Sequence, residues 1–179
     1  MQQLTKKALG ESLKKILSKK TLDNITVIDI VNDCGVNRQT FYYHFQDIYD
    51  LLDWIFQKEA ESVLHHKINS ENWKECLSSV FCYLIDNKDF IKNTYRSIGR
   101  DSLEQYLYNT MEHYMISVVD DIDSQKRITQ SDRKFICRFL SYGIVGVALD
   151  WISSGMKDDL NTITEKIFKI LDGDIEKFL

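Results

Sequence analysis

A cluster of hydrogen-bonding and aromatic side chains lies in one short stretch, GVNRQTFYYHF, between Gly35 and Phe45. Phe41 and Phe45 are four residues apart, so on a helix they share one face and can dock it on neighbouring elements. The other faces then carry Arg38, Gln39, Thr40, Tyr42, Tyr43 and His44. Donors and flat rings close to a helix N-terminus suit a phosphate backbone and the base edges of a DNA major groove. Each residue alone is more typical of an ordinary surface, but the combination indicates DNA recognition.

Two short helices joined by a glycine turn are predicted to position this stretch. Thr26 is the expected N-cap of the first, with Asp29 three residues later, and apolar residues then follow at helical spacing. Those residues are Val27, Ile30, Val31 and Cys34. Gly35 can take the left-handed conformation that ends a helix, and Asn37 can cap the next one. This arrangement is a helix-turn-helix.

Composition predicts an all-α fold with a basic head and an acidic body. None of the 179 residues is proline, and apolar residues recur at helical spacing in almost every window. Residues 1–46 carry seven lysines and arginines against four acidic residues, a net charge of +3, which leaves −7 for the rest of a chain whose total is −4. We find no run of about 18 apolar residues and no cleavable leader, so we expect a soluble, cytoplasmic protein without a membrane segment.

The segment ITVIDIVNDCGVNRQTFYYHFQDIYDLL, Ile25 to Leu52, resembles the N-terminal signature of TetR-type transcriptional regulators. That signature has an IT cap, an apolar helix ending in GV, a recognition helix ending in two aromatic residues, His or Arg, and Phe, and a fourth helix that opens on LL. The resemblance covers about the first third of the chain. It implies a DNA-binding regulator with a double-stranded operator as its partner.

Carried over by position, the resemblance implies a role for each exposed residue of the motif. Thr26 and Thr40 would contact phosphates, Arg38 and Gln39 would face bases, and a third group would contact backbone or base edges. That group is Tyr42, Tyr43 and His44, and Asn37 completes the predicted DNA-binding set. Val36, Phe41 and Phe45 would be scaffold. The chain departs from the family at Ile48, where a phosphate-contacting lysine is usual, so a backbone contact is either lost or supplied from elsewhere, for instance by first-helix lysines.

The chain is divided into a DNA-binding domain at 1–47 and an effector-binding and dimerisation domain at 48–179. The first helix is expected to begin after Thr5, and its lysines either contact phosphates or form a solvated face. Further helices are expected over 48–68, 71–87, 89–98, 101–122, 131–154 and 160–171, with a polar surface loop between the two long ones. The stretch Tyr142 to Met156 also resembles regulators associated with dihydroxyacetone kinase genes. That likeness implies a protein partner as the input signal and activation as the output.

The body is predicted to bind an effector, either a small molecule or a partner protein, and to form a homodimer. Aromatic residues are dense there, and each is more often core than pocket. The predicted ligand-binding set is Tyr95, Tyr106, Phe139 and Tyr142. Gly143 and Gly146 lie inside a helix, where close approach of a partner subunit or close packing within one subunit can explain them. The predicted dimer interface is Gly143, Gly146, Val147, Trp151, Ile163 and Ile167.

Two other classes of function are weighed against this one. An enzyme is disfavoured because no glycine-rich phosphate loop or nucleophile motif is present, and because the pairs Glu61–His65 and Asn109–His113 lack a third metal ligand. We therefore expect no catalytic residue, metal or cofactor. The four cysteines form no CxxC pair and are expected to be reduced and mostly buried. A helical protein-binding adaptor without DNA binding is the remaining alternative, and Ile48 is the one feature that favours it.

Overall fold

The computed structural model describes residues 2–63, 68–97, 100–125 and 127–172. Helices fill most of these ranges, and no strand occurs within them, which confirms the all-α prediction. The nine α-helices of the described ranges are α1 Gln2–Leu17, α2 Val27–Cys34, α3 Arg38–His44, α4 Ile48–Val63, α5 Trp73–Asp86, α6 Lys88–Tyr95, α7 Arg100–Ile122, α8 Gln130–Ser153 and α9 Leu160–Leu171. A short 3-10 helix, Leu22–Asn24, joins α1 to α2.

Two compact units divide the chain, and they do not follow the predicted boundary at residue 47. Unit 1 contains residues 1–61 and 87–106, and unit 2 contains residues 62–86 and 107–179. The helix-turn-helix therefore shares a core with α6, which lies some fifty residues later in the sequence. Sequence patterning could not show this, because apolar periodicity identifies the buried face of a helix but not the helix that covers it.

Unit 1 has a continuous apolar core beneath the helix-turn-helix. Its buried side chains come from α1, α2, α3, α4, α6 and the start of α7, and include Leu9, Leu13, Leu17, Ile30, Phe41, Leu51, Leu52, Ile91 and Leu103. α6 attaches to this core in two ways. The Asn93 side-chain amide donates a 2.7 Å hydrogen bond to the Leu17 carbonyl, one of the acceptors that the end of α1 leaves unpaired. The Phe90 ring packs 5.7 Å from that of Phe56 on α4.

Unit 2 is a bundle whose core residues come from α5, α7, α8 and α9. Aromatic contacts connect the helices: the Phe81 ring lies 5.7 Å from Trp151, and the Trp73 ring meets Phe168 edge-on at 5.4 Å. At the surface Lys74 on α5 pairs with Asp172 just after α9. The polar 123–129 connection is held by Asp123, whose carboxylate accepts from the backbone N–H groups of Arg127 and Ile128 and has a lowered pKa as a result.

Several predicted helix boundaries are wrong by a few residues. α1 begins at Gln2 and not after Thr5. α4 does not reach Ile68, since Ile68 and Asn69 are not helical. Asp101 lies in the first turn of α7 and does not cap it. By contrast the predicted 160–171 helix agrees with α9 at both ends, because Asp159 caps it by accepting from the Thr162 backbone N–H. Ile98, His65 and His66 lie outside the described residues.

Candidate nucleic-acid interface

The N-terminus of α2 is closed by a reciprocal capping box between Thr26 and Asp29. The Thr26 hydroxyl accepts from the Asp29 backbone N–H at 3.3 Å, and the Asp29 carboxylate accepts from the Thr26 backbone N–H at 2.8 Å. The pKa of Asp29 is lowered by that backbone N–H, by the Thr26 hydroxyl and by Lys20. This confirms the predicted cap and fixes where α2 begins.

The turn between α2 and α3 has the predicted chemistry. Gly35 has a φ of 72°, in the left-handed region that favours glycine, and its N–H donates to the Val31 carbonyl. Asn37 then opens α3, since its side-chain oxygen accepts from the Thr40 backbone N–H at 2.8 Å and from the Thr40 hydroxyl at 3.0 Å. These local contacts set the start of a helix only seven residues long.

α3 buries its apolar side and exposes its polar and aromatic side. Phe41 is fully buried and Phe45 is 3% exposed, whereas Tyr42 and Tyr43 are 51% and 70% exposed. Arg38 and Gln39 are also exposed, and the Arg38 guanidinium lies 5.9 Å from the centre of the Tyr42 ring. The face therefore presents a cation, an amide and two phenols together, as donors for phosphates and base edges.

Two of the predicted contact residues already use their hydroxyl groups in hydrogen bonds within the protein. The Thr26 hydroxyl lies 2.9 Å from the Asp29 carboxylate, and the Thr40 hydroxyl donates to Asn37. Each hydroxyl must give up an internal bond before it donates to a phosphate. His44 is half-buried, with its ring edge-on to Tyr43 at 4.9 Å. Of the predicted set, only Thr40 and His44 are half-buried, and the other six residues are exposed.

Lysines near the end of α1 form ion pairs with carboxylates of unit 1. Lys14 pairs with Glu59 on α4 at 2.6 Å, and Lys15 with Asp33 on α2 at the same distance. The Lys15 ammonium, followed by Ser12, lowers the pKa of Asp33. Lys20 lies 3.4 Å from Asp29. These contacts join α1 and the residues just after it to α2 and α4 within the unit.

Two contacts beneath α3 were missed by sequence reasoning. A Cβ atom at Gly10 would lie 2.9 Å from Cζ3 of Trp54, so α1 and α4 approach closely only because residue 10 is glycine. Trp54 packs edge-on to Phe45, with ring centres 5.9 Å apart. A lone glycine within a helical pattern was the available signal. Lys6, one turn earlier in α1, places its ammonium 5.1 Å from the centre of the Phe45 ring.

The four residues predicted to bind a ligand are divided between the two units. In unit 1, Tyr106 stacks on Phe56 at 5.2 Å and Tyr95 lies under the Arg100 guanidinium at 4.6 Å. In unit 2, Phe139 and Tyr142 are exposed on α8. Unit 2 contains instead a small apolar depression, partly open to solvent, between its α5 and α7 segments. Its lining is Ile68, Trp73, Cys76, Leu77, Val80, Met111, Tyr114 and Met115.

An exposed apolar stripe runs along α8. It consists of Phe135, Phe139, Tyr142, Gly143, Gly146 and Val147, which we call the α8 stripe. Its four side chains are 43–70% exposed, and among the described residues nothing besides the backbone of α8 itself lies within 4 Å of a Cβ atom built at either glycine. Close packing within one subunit therefore does not explain these glycines. The other predicted interface residues, Trp151, Ile163 and Ile167, are buried in the core of unit 2.

α8 is also long and apolar enough to cross a membrane by length and composition alone, and 44% of the apolar window is buried inside the protein. The core helix of a soluble protein passes the same test.

The cysteines carry no disulfide: Cys137 is buried, Cys34 and Cys76 are half-buried, and Cys82 is exposed. Burial raises the pKa of the three less accessible thiols. Among the described residues, no three His, Cys, Asp or Glu side chains are grouped to hold a metal ion.

The chain matches known protein families in both its N-terminal and its C-terminal part. Residues 12–55 match the family described as bacterial regulatory proteins of the tetR family, and residues 71–173 match a transcriptional regulator C-terminal region. The chain is 24% identical to the HTH-type dhaKLM operon transcriptional activator DhaS of Lactococcus lactis subsp. lactis (strain IL1403), over 98% of this chain and 92% of that protein.

Solved structures share the fold. The dihydroxyacetone kinase operon activator DhaS superposes with a TM-score of 0.76 at 23% identity, covering 96% of each chain. The fatty acid degradation regulator FadR from Bacillus halodurans superposes with a TM-score of 0.68 at 14% identity, again covering 96% of each chain. These similar proteins are regulators and not enzymes, in agreement with the expectation drawn from the sequence.

Proposed function

The chain belongs to the TetR family of transcriptional regulators, and from that premise we propose that it is a cytoplasmic homodimer that reads an operator with α3. In this proposal α3 enters the major groove of double-stranded DNA. Arg38 and Gln39 face base edges, while Tyr42, Tyr43 and His44 contact backbone or base edges. Thr26, Asn37 and Thr40 lie at the two helix N-termini and are assigned to phosphates.

The exposed face of α3 is the observation that carries this proposal. A helix of seven residues is not stable alone, so its docking through Phe41 and Phe45 and its cap at Asn37 are what hold it in place. The exposed side chains of Arg38, Gln39, Tyr42 and Tyr43 each carry a polar hydrogen-bonding group. They offer hydrogen-bond donors to phosphate oxygens and base edges, and flat rings that can contact the DNA backbone or the bases.

Dimerisation is proposed through the α8 stripe. Large apolar side chains exposed in a row along one helix are typical of an interaction site, and the open space at Gly143 and Gly146 allows a partner helix to approach closely. Function also favours a dimer, because two heads on a two-fold axis can read half-sites on one face of DNA. A single short recognition helix would bind too weakly to be specific.

The input signal is proposed to act on unit 2. The depression between α5 and α7 is apolar and is lined by two methionines and a tryptophan, so a small apolar molecule is the ligand that it suits. A partner protein is the alternative source of the signal. Because DhaS is named a transcriptional activator, we propose activation as the output. Expression of a reporter gene placed behind the operator should then rise when the protein is present.

Fluorescence anisotropy tests the proposed DNA binding. The protein is titrated onto duplex DNA from upstream of its own gene and of the neighbouring genes, beside a scrambled duplex, over a series of salt concentrations. We expect selective binding and a negative slope of log affinity against log salt. A protein that prefers no duplex at any salt concentration, including duplexes selected from a random pool, would be the adaptor and not the regulator.

A further inference from the structure

Lys6 occupies an unusual place among the lysines of unit 1. Its ammonium group lies 5.1 Å from the centre of the Phe45 ring, and Phe45 is the residue that ends α3. Lys6 is half-buried and Phe45 is almost wholly buried. The aliphatic part of the lysine therefore lies along apolar surface while its charge stays near the C-terminal end of the recognition helix, as long basic side chains commonly do.

Neighbouring lysines of α1 have carboxylates within 4 Å, whereas Lys6 has none among the described residues. Lys7 lies 3.8 Å from Glu11, Lys14 pairs with Glu59, and Lys15 pairs with Asp33. Within the part of the chain that the structure describes, no carboxylate forms an ion pair with Lys6. A cation held beside the recognition helix without an internal counter-ion is available to an external anion.

The start of α4, immediately after α3, cannot supply that positive charge itself. Asp47 accepts from the Asp50 backbone N–H at 2.9 Å, and the Asp50 carboxylate accepts from the Gln46 backbone N–H at the same distance. Two carboxylates thus occupy backbone donors that could otherwise bind an anion, and they repel phosphate. The first residue of the helix, Ile48, is apolar.

We propose that Lys6 contacts a DNA phosphate beside the C-terminal end of α3, and that α1 thereby supplies a backbone contact which the opening of α4 lacks. This proposal rests on the proposed DNA-binding function. The Lys6 ammonium lies over the Phe45 ring, so the same side chain both contacts the scaffold of α3 and anchors one strand next to it. As a phosphate contact, Lys6 strengthens binding to every sequence alike and carries no base preference.

The salt dependence of DNA binding tests this role. In Lys6→Met an unbranched apolar side chain is kept and the charge is lost. We expect the slope of log affinity against log salt to become less negative by about 0.9 for each head, or about 1.8 for a dimer, with the ratio of operator to scrambled affinity unchanged. Lys15→Met is the matched control, since it removes an equal charge from the same helix at a residue paired with Asp33. Its slope should change much less.

Three further variants keep the test decisive. Lys6→Arg retains the charge and should retain the slope, and Lys6→Gln repeats the loss if the methionine variant folds poorly. Adding Ile48→Lys to Lys6→Met should restore the slope, because the new ammonium lies three residues after Phe45. A wild-type slope in folded Lys6→Met overturns the proposal, and so does a loss that Ile48→Lys leaves unrepaired. Failure of the wild-type protein itself to bind DNA would instead overturn the proposed function.

Discussion

The exposed faces of α3 and α8 differ in length, chemistry and support. α3 has seven residues, buries its apolar side chains and exposes donors and phenols. α8 has 24 residues, and although it buries one apolar side in unit 2, it exposes another that is interrupted by two glycines. Polar groups gain from partners rich in hydrogen-bond acceptors, whereas an apolar stripe gains from burial against a second apolar surface. This difference supports our proposal that α3 binds DNA and that α8 packs against another copy of the chain.

A charge in the α8 stripe should have the largest effect of any single change. Phe139→Glu places a carboxylate on a residue that is 67% exposed in the monomer but buried in the proposed dimer. We expect monomers by sedimentation velocity and operator affinity lower by about 10²–10⁴-fold, because the second head no longer binds intramolecularly. Ile122→Glu, at a residue 63% exposed at the end of α7, is the control and should stay dimeric. A dimeric Phe139→Glu protein would remove the assignment of this stripe.

Loss of a ring on α3 should weaken DNA binding and leave the dimer intact. For Tyr42→Ala we expect affinity to fall by about 10–100-fold, the effect of about 1–3 kcal/mol that a specific contact contributes. Tyr42→Phe keeps the edge-on packing against Phe41 and so isolates the hydroxyl. Anisotropy measures binding, and sedimentation velocity measures the oligomeric state. Unchanged affinity in both variants would count against α3 as the reading helix.

Glycine-to-alanine changes should have opposite signs in the two units. At Gly10 the added methyl meets Trp54 at 2.9 Å and Ile55 at 3.3 Å. Overpacking costs about 1–3 kcal/mol, against roughly 1 kcal/mol gained in helix propensity, so unit 1 should be destabilised. At Gly146 no atom of another described element lies within 4 Å of the methyl, and Gly146→Ala in the monomeric Phe139→Glu background should stabilise by up to about 1 kcal/mol. Thermal melts compare the two. Destabilisation of that monomer by Gly146→Ala would show that the glycine serves its own subunit.

The cap of α2 should give the smallest effect and a dependence on pH. Thr26→Ala removes the capping hydroxyl and should cost about 1 kcal/mol of stability. The pKa of Asp29 is lowered in the folded state, first by the Thr26 backbone N–H. Its contribution is therefore present above the ordinary aspartate pKa and is lost as pH falls through the lowered value. Melts of the wild-type protein and Asp29→Asn should differ at neutral pH and converge in acid. A constant difference would contradict the capping role of the charge.

Local signals made unit 1 predictable in part. The caps at Thr26 and Asn37 and the turn at Gly35 each depend on residues within four positions of one another, so the sequence contains the whole interaction. The contribution of α6 depends on Asn93 meeting Leu17, 76 residues away. No local pattern indicates such a contact. Gly10 was overlooked for the same reason, since its partner Trp54 lies on another helix.

The body was less predictable because its helices are apolar on more than one side. In α8 both the buried residues and the exposed stripe recur at helical spacing, so periodicity could not tell core from interface. Gly143, Gly146 and Val147 were placed in the predicted interface and lie on the exposed stripe, whereas Trp151 was placed there and is buried. Only the three-dimensional packing shows that Trp151, Ile163 and Ile167 belong to the core.

Hydroxyl-radical footprinting of the wild-type protein on a duplex selected from a random pool tests the central claim most directly, because it examines the reading helix and the dimer together. Two protected patches are expected on one face of the DNA, about 10–10.5 base pairs apart or a multiple of that spacing, and Tyr42→Ala should weaken both at equal protein concentration. A single patch, uniform protection along the duplex, or a pattern that Tyr42→Ala leaves unchanged would contradict a dimer that reads DNA with α3.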